Sequence, residues 1–251
     1  MVAFRVIPCL DIKDGRVVKG IRFQNLRDAG DPVEAACVYE QQGGDEIVLL
    51  DVSATPEGRA HATETVRRVR ESLSLPLTVG GGIRTADDAA RLLEAGADKV
   101  GVNTAAIARP GLISDLADRF GAQCTVISVD AVARGPGTWK VVVSSGTSVT
   151  DIDVVAWCRQ ATESGAGEIL LTSWDRDGTG DGYDTDLVES VTSMVTVPVI
   201  ASGGAANGTH LVDAIRAGAS AVLVASILHD GKTTVDKLKA CLIKAGLEVR
   251  P

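Results

Sequence analysis

Short aliphatic runs alternate along this chain with longer stretches whose hydrophobic positions recur at helical spacing. The short runs cover residues 6–11, 46–51, 77–80, 99–102, 125–130, 169–172, 199–201 and 221–224. They are rich in Val, Ile and Leu and lack strict alternation, which suits parallel strands covered on both faces. Amphipathic patterns predict helices over residues 32–42, 61–73, 86–95, 110–119, 152–164, 186–193, 208–217 and 234–245. Local signals mark several helix ends. Asp31 precedes Pro32, a capping carboxylate followed by a residue suited to the first helical position. Thr85 and Asp88 have the spacing of a capping box. Ala-Gly-Ala triplets centred on Gly96 and Gly218 supply glycines that can end two helices.

Eight βα units in 251 residues predict an α/β fold, a (β/α)8 TIM barrel. An open doubly wound sheet competes, but no G-x-G-x-x-G opens the first unit. An internal repeat favours closure. Residues 76–105, PLTVGGGIRTADDAARLLEAGADKVGVNTA, align without gaps on residues 198–227, PVIASGGAANGTHLVDAIRAGASAVLVASI. The offset of 122 also pairs Glu46-Ile47 with Glu168-Ile169. The expected organisation is one barrel domain over residues 1–251, built from two duplicated half-barrels, 1–122 and 123–251. Phe120-Gly121-Ala122-Gln123 is too short and ordinary to link separate domains.

Composition narrows the function classes. The chain is 45% hydrophobic but only 3% aromatic, so its core is aliphatic and large enough to exclude disorder. A net charge of −8 argues against nucleic acid as a partner. It leaves room for small phosphorylated ligands held by backbone N–H groups at helix starts. No apolar stretch approaches the roughly 20 residues that span a bilayer, and the first residues carry no signal peptide. Neither membrane association nor export is expected. Cys9, Cys37, Cys124, Cys158 and Cys241 are odd in number and lack C-x-x-C spacing, as expected of reduced thiols in a cytoplasmic protein. His61, His210 and His229 lie far apart without ligand spacing, so neither a metal nor a cofactor is expected.

In such barrels the chemistry lies at the C-terminal ends of the strands. Asp11 ends the first strand and Asp130 the fifth, on opposite sides of an eight-stranded barrel. They are candidates for a general acid/base pair, one ionised and one protonated. Loop capping is the plainer alternative for either alone; two on opposed strands favour function. Asp51, ending the second strand, is a weaker candidate and reads as structural. Gly80-Gly81-Gly82 follows the third strand and Ser202-Gly203-Gly204 the seventh. Asn103-Thr104 and Ala225-Ser226 follow the fourth and eighth at the same offset. One such glycine pair is more often a tight turn. Two, each backed by small residues from the next strand, predict two anion sites and a long substrate with a phosphate at each end.

The polar loop after the sixth strand, Thr172 to Gly180, places Asp177 and Gly178 at the mouth as ligand contacts, with a merely charged loop as the alternative. Residues 12–30 form a long first loop whose Asp14-Gly15 turn predicts a hairpin of lid type. Lys19 on it either meets a phosphate or is an ordinary surface lysine. Gly135-Pro136-Gly137 predicts a second hairpin. At the other end of the barrel, Arg5, Glu46, Lys99 and Glu168 start the first, second, fourth and sixth strands. Two cations and two anions there can close the floor as an ion-paired ring, and the spacing does not distinguish a plug from a gate.

The stretches IPCLDIKDGRVVKG, TVGGGIRTADDAARLLEAGADKVGVNTAA, EILLTSWDRDGTGDGYD and PVIASGGA resemble the cyclase subunits of imidazole glycerol phosphate synthases, over essentially the whole chain. The resemblance implies a lyase of histidine biosynthesis that takes ammonia from a partner glutaminase docked on the N-terminal face. Its substrate would be a phosphoribulosyl formimino-aminoimidazole carboxamide ribonucleotide. The products would be imidazole glycerol phosphate and aminoimidazole carboxamide ribonucleotide. It assigns the acid/base work to Asp11 and Asp130. Gly82, Asn103, Thr104, Asp177, Gly178, Gly203, Gly204, Ala225 and Ser226 match the phosphate-holding positions, and Lys19 the lid lysine. Arg5, Glu46, Lys99 and Glu168 match a charged ammonia gate.

Four features depart from the family pattern. The stretch VSSGT ending at Thr147 lacks a basic residue, Asp151 stands where a glycine is usual, Ala206 replaces a glycine, and Gly101 replaces a serine. They leave both aspartates in place and bear on loop detail, mainly in residues 131–150. Two rivals remain at this point: the sister isomerase of the pathway, also a duplicated barrel with opposed aspartates, and a non-catalytic sugar-phosphate-binding subunit. Cys9-Leu10-Asp11, the Asp175-Arg176-Asp177-Gly178 loop and the charge ring favour the cyclase over the first. Intact Asp11 and Asp130 argue against the second.

Overall fold

The computed structural model describes residues 3–21, 24–52 and 59–250. The first half runs β1 (Arg5–Lys13), β2 (Arg16–Ile21), β3 (Gln24–Gly30), α1 (Pro32–Gln41), β4 (Ile47–Asp51), α2 (Arg59–Ser72), β5 (Leu77–Gly80), α3 (Ala86–Glu94), β6 (Lys99–Val102), α4 (Thr104–Ala108) and α5 (Gly111–Phe120). The second runs β7 (Thr125–Gly135), β8 (Thr138–Val143), β9 (Ser148–Asp153), α6 (Val154–Glu163), β10 (Glu168–Ser173), α7 (Thr185–Thr192), β11 (Val199–Ser202), α8 (Gly208–Arg216), β12 (Ala221–Val224), α9 (Ser226–His229) and α10 (Val235–Lys244).

Eight of the strands pair in parallel in the cyclic order β1, β4, β5, β6, β7, β10, β11, β12. The last returns to the first, with Arg5 opposite Ala221 and Pro8 opposite Val224, and the barrel is closed. Each expected strand and long helix is present within a few residues. The helix expected from residue 152 instead begins at Val154, because Ile152 and Asp153 stay in β9 and the Asp153 carboxylate caps the helix, accepting from the Ala156 N–H at 3.0 Å. Two helices, α4 and α9, were not expected. Spans of five and four residues are too short to show a period.

Closure explains the continuous aliphatic runs. Ile7, Cys9, Val48, Val126, Leu170, Ile200, Ala221 and Leu223 pack together inside the barrel. Their sequence neighbours, among them Val6, Leu10, Ile47, Leu49, Ile127, Ile169, Leu171 and Val222, belong to a second core under the helices. Six of the eight barrel strands therefore serve two cores with alternate residues, while β5 and β6 turn Thr78, Gly80, Lys99 and Gly101 to the lumen instead.

Local chemistry sets the connections. Thr85 and Asp88 form the expected capping box, and Asp31 caps α1. Asp14 and Gly15 both have positive φ, 50° and 74°, a mirror-type turn that matches strand twist and joins β1 to β2. β2 and β3 form one antiparallel hairpin at the mouth, and β7, β8 and β9 form a second antiparallel extension. The repeat is visible in the packing. Gly81 and Gly203, 122 residues apart, have φ of 98° and 93°. A Cβ on either would collide with a backbone carbonyl, that of Asp51 or Ser173, which are themselves 122 residues apart.

The barrel floor is a ring of ion pairs. Arg5 bonds Glu46 at 3.0 Å and Glu168 at 2.5 Å, and Lys99 bonds the same two carboxylates at 2.9 and 2.7 Å. The Thr78 hydroxyl donates to Glu46 at 2.5 Å. Burial pushes the Glu168 carboxyl up, but Arg5 and Lys99 outweigh it and hold it below its ordinary 4.5. Its contribution to stability is present above that value and fades as pH falls through the lower folded value. Lys99→Met leaves two buried carboxylates sharing one cation, an expected loss of about 3–5 kcal/mol. Thermal unfolding above pH 5 should show a melting temperature lower by roughly 10 °C. An unchanged melting temperature would mean that the ring does not stabilise the barrel.

Candidate active site

The C-terminal ends of the eight barrel strands form the mouth. Asp11 lies on β1 between Leu50 of β4 and Val18 of β2. Asp130 lies on β7 between Thr172 of β10 and Val142 of β8. In the cyclic order these strands are diametrically opposed. Asp11 faces the same lumen as Arg5, Ile7 and Cys9, the alternate residues of its strand.

The two carboxyls share an electrostatic environment. Burial pushes Asp11 up to about 7, and the charges of Asp177 and Asp130 add to it. Burial and Asp177 push Asp130 up to about 7, against a hydrogen bond from Asn103. That bond, from the Asn103 side-chain amide, measures 3.0 Å. Asp177, read from the sequence only as a ligand contact, thus acts electrostatically on both aspartates. It also raises the buried Cys9 thiol, after burial and Asp11, which leaves that sulfur protonated.

The residues expected to hold phosphate fall on two opposite sides of the mouth. On one side, Lys19, Asp177, Gly178, Gly203, Gly204, Ala225 and Ser226 line a single cavity of about 490 Å³. Lys19 reaches it from the β2–β3 hairpin, donates to the Ser226 carbonyl at 3.3 Å and ion-pairs with Asp230. Arg27 and Lys232 also bond Asp230, at 2.9 and 3.2 Å. The Lys19 hydrogen bond draws that carboxyl down to about 2, against partial burial. On the other side, Gly82, Asn103 and Thr104 follow β5 and β6. The Asn103 amide is committed to Asp130, and the Thr104 hydroxyl accepts from the Ser144 N–H at 2.9 Å, joining α4 to the β8–β9 turn. Asn103 and Ala225 precede the two short helices with nearly equal backbone angles, φ −130° and −134°.

Between floor and mouth the lumen is mostly apolar. Gly101 opens it further: a Cβ there would lie 3.2 Å from the Ser128 hydroxyl on β7. The serine expected on β6 is absent, and a hydroxyl on the adjacent strand faces the space.

A family model described as histidine biosynthesis protein matches residues 5–234. The chain belongs to this histidine biosynthesis family. It is 56% identical over 249 residues to a Streptomyces griseus protein named imidazole glycerol phosphate synthase subunit HisF, covering 99% of each. A protein of the same name from Gluconacetobacter diazotrophicus is 53% identical over 250 residues, covering 100% of this chain and 97% of that one. One from Synechococcus sp. is 54% identical over 258 residues, covering 100% of each.

Several residues of this family member's mouth carried no sequence signal. Asp230, Arg27 and Lys232 resemble any charged surface residues until the fold gathers them at the cavity rim. Ser128 reads as an ordinary strand residue. Among the described residues no group of His, Cys, Asp and Glu could hold a metal ion.

The raised aspartates make a stability prediction. In the folded protein both keep protons that the unfolded chain loses above its ordinary 3.8. Stability from this source is present below 3.8 and is lost as pH rises through about 7. Asp130→Asn removes one such group and keeps an acceptor for Asn103. It should melt higher than the parent above pH 7, with the gap closing below pH 4. A variant less stable than the parent at high pH would overturn the reading of a buried, strained carboxyl.

Proposed function

We propose that this chain is the cyclase subunit of an imidazole glycerol phosphate synthase. It takes ammonia from a partner glutaminase and converts the phosphoribulosyl formimino-aminoimidazole carboxamide ribonucleotide into imidazole glycerol phosphate and aminoimidazole carboxamide ribonucleotide. The observation that carries the reading is the opposed pair Asp11 and Asp130, both raised to about 7 at the head of a closed lumen. Near neutral pH such a pair holds one proton between two groups. One member then removes a proton while the other supplies one, as imine formation, ring closure and elimination each require. The names of the relatives support the synthase over the sister isomerase and over a non-catalytic subunit.

The two phosphates give the substrate its orientation. One sits in the cavity formed by Asp177, Gly178, Gly203, Gly204, Ala225 and Ser226, with Lys19 closing over it. The other sits against Gly82, Asn103 and Thr104. The reacting centre is then stretched across the barrel axis between Asp11 and Asp130. Arg5, Glu46, Lys99 and Glu168 form the ammonia gate, and the glutaminase docks below it on the N-terminal face as a heterodimer. The apolar lumen above the ring favours neutral ammonia over ammonium, which would lose its hydration without gaining a counter-ion. No cofactor or metal enters this scheme, and neither nucleic acid nor a membrane is a partner. The chain acts as one barrel of two half-barrels in the cytoplasm; among the described residues no helix is long and apolar enough to cross a membrane.

The purified chain, given excess ammonium at raised pH, should consume the doubly phosphorylated ribonucleotide and release both products. Glutamine should replace ammonium only when a glutaminase is added. Well-folded protein that binds the ribonucleotide without turnover would sink the cyclase reading. Asp130→Asn should retain binding and lose about 10²–10⁴-fold in turnover. Undiminished turnover in that variant would remove Asp130 from the chemistry.

A further inference from the structure

His229 ends α9, three residues beyond Ser226, and its ring lies between α1 and β1. Tyr39 of α1 places its hydroxyl 2.7 Å from Nδ1, and Nε2 lies 3.0 Å from the Cys9 carbonyl oxygen. A carbonyl only accepts, so Nε2 carries the proton. Nδ1 is then free to accept from the Tyr39 hydroxyl, and both ring nitrogens of a neutral imidazole are satisfied. Burial lowers the histidine's pKa; the Cys9 carbonyl and Asp230 pull the other way, while Lys19 and Arg27 repel the cation.

The position of this bond is informative. Pairing of β12 with β1 stops at Val224 opposite Pro8. The Cys9 carbonyl lies one residue past the end of that ladder, and the imidazole N–H takes the place of the missing strand donor. Asp11 is two residues further along, on the same inward face. At its other end α9 begins with Ser226, whose carbonyl accepts from Lys19, and Asp230 follows His229 and bonds Lys19 and Arg27. One short helix thus touches the anion cavity at both ends and grips β1 through a single side chain.

We propose that His229 is a positioning residue: through the Cys9 carbonyl it fixes the end of β1, and with it Asp11, and couples that position to the anion cavity at α9. The catalytic consequence rests on the function proposed above; the structural coupling does not.

Titration of ¹³C-labelled aspartate carboxyls in the full chain tests the coupling without substrate. His229→Leu should lower the Asp11 midpoint by about one unit as water reaches a loosened strand end. Asp130, on the opposite strand and coupled to Asp11 only through its charge, should move less and not downward. His229→Gln, which offers an N–H to Cys9 and an acceptor to Tyr39, should restore the parent midpoint. Inorganic phosphate should shift the Asp11 signal in the parent and in His229→Gln, and not in His229→Leu. In ammonium-driven turnover, His229→Leu should lose roughly tenfold in kcat with a smaller change in KM, recovered by His229→Gln. Identical Asp11 titrations in parent and His229→Leu would overturn the inference. So would equal shifts of Asp11 and Asp130, or failure of His229→Gln to restore. If His229→Leu does not fold, Tyr39→Phe keeps the Cys9 bond but frees Nδ1. It should give a smaller Asp11 shift in the same direction, and no shift there also overturns the inference. A parent without turnover would count against the proposed function alone, since the titration still decides the coupling.

Discussion

Closure of eight parallel strands into a barrel leaves no strand face exposed, and that constraint organises everything else in the molecule. Most barrel strands divide their apolar residues between a core under the helices and a core inside the lumen. On β1 the inward set is Arg5, Ile7, Cys9 and Asp11, while Val6, Leu10 and Ile12 face the helices. Six residues at roughly 3.3 Å each place about 20 Å between floor and mouth. A single strand therefore carries a ring cation, two apolar lining residues and a site carboxylate. A register slip of one residue would send all four to the wrong side.

The same burial has opposite electrostatic outcomes at the two ends. Glu168 is buried, yet its carboxyl is held low because Arg5 and Lys99 stand within hydrogen-bond distance. Burial drives Asp11 and Asp130 up to about 7, and the charge of Asp177 adds to it. Burial raises all three carboxyls, and only the cations at the floor reverse its effect. The floor is self-neutralised and stabilises the barrel across the neutral range. The mouth holds charge that the fold would be more stable without, as expected where stability and reactivity compete for the same site.

The fold was legible because its signals are local or periodic. Aliphatic runs, the Thr85–Asp88 box, the Asp14-Gly15 turn and the 122-residue repeat each depend on nearby residues or on direct comparison of the chain with itself. Placement of the aspartates at opposed strand ends followed from counting strands. What stayed hidden depends on contacts between distant elements. Gly81 and Gly203 read as phosphate-loop glycines; the fold shows that they are also the only residue type that fits against the carbonyls of Asp51 and Ser173. Asn103 read as a phosphate contact, but its amide is turned to Asp130, 27 residues away. His229 showed no ligand spacing because its partners, Tyr39 and Cys9, are 190 and 220 residues distant.

Charge shows the same limit. A net −8 says nothing about where cations gather. At the cavity rim Lys19, Arg27 and Lys232 gather on the carboxylate of Asp230, and with Asp177 also in the lining the cavity keeps an excess of positive charge on an acidic protein. Asp230 keeps the lysine beside the Ser226 carbonyl, so the hairpin that bears it is already drawn to the cavity. An incoming phosphate meets cations whose side-chain order is set in advance by the carboxylate, and it needs less ordering to be bound. A small phosphorylated ligand reaches a rim where positive charge outnumbers negative. Attraction of a phosphate thus follows from the local arrangement of three cations at the rim, not from the overall charge.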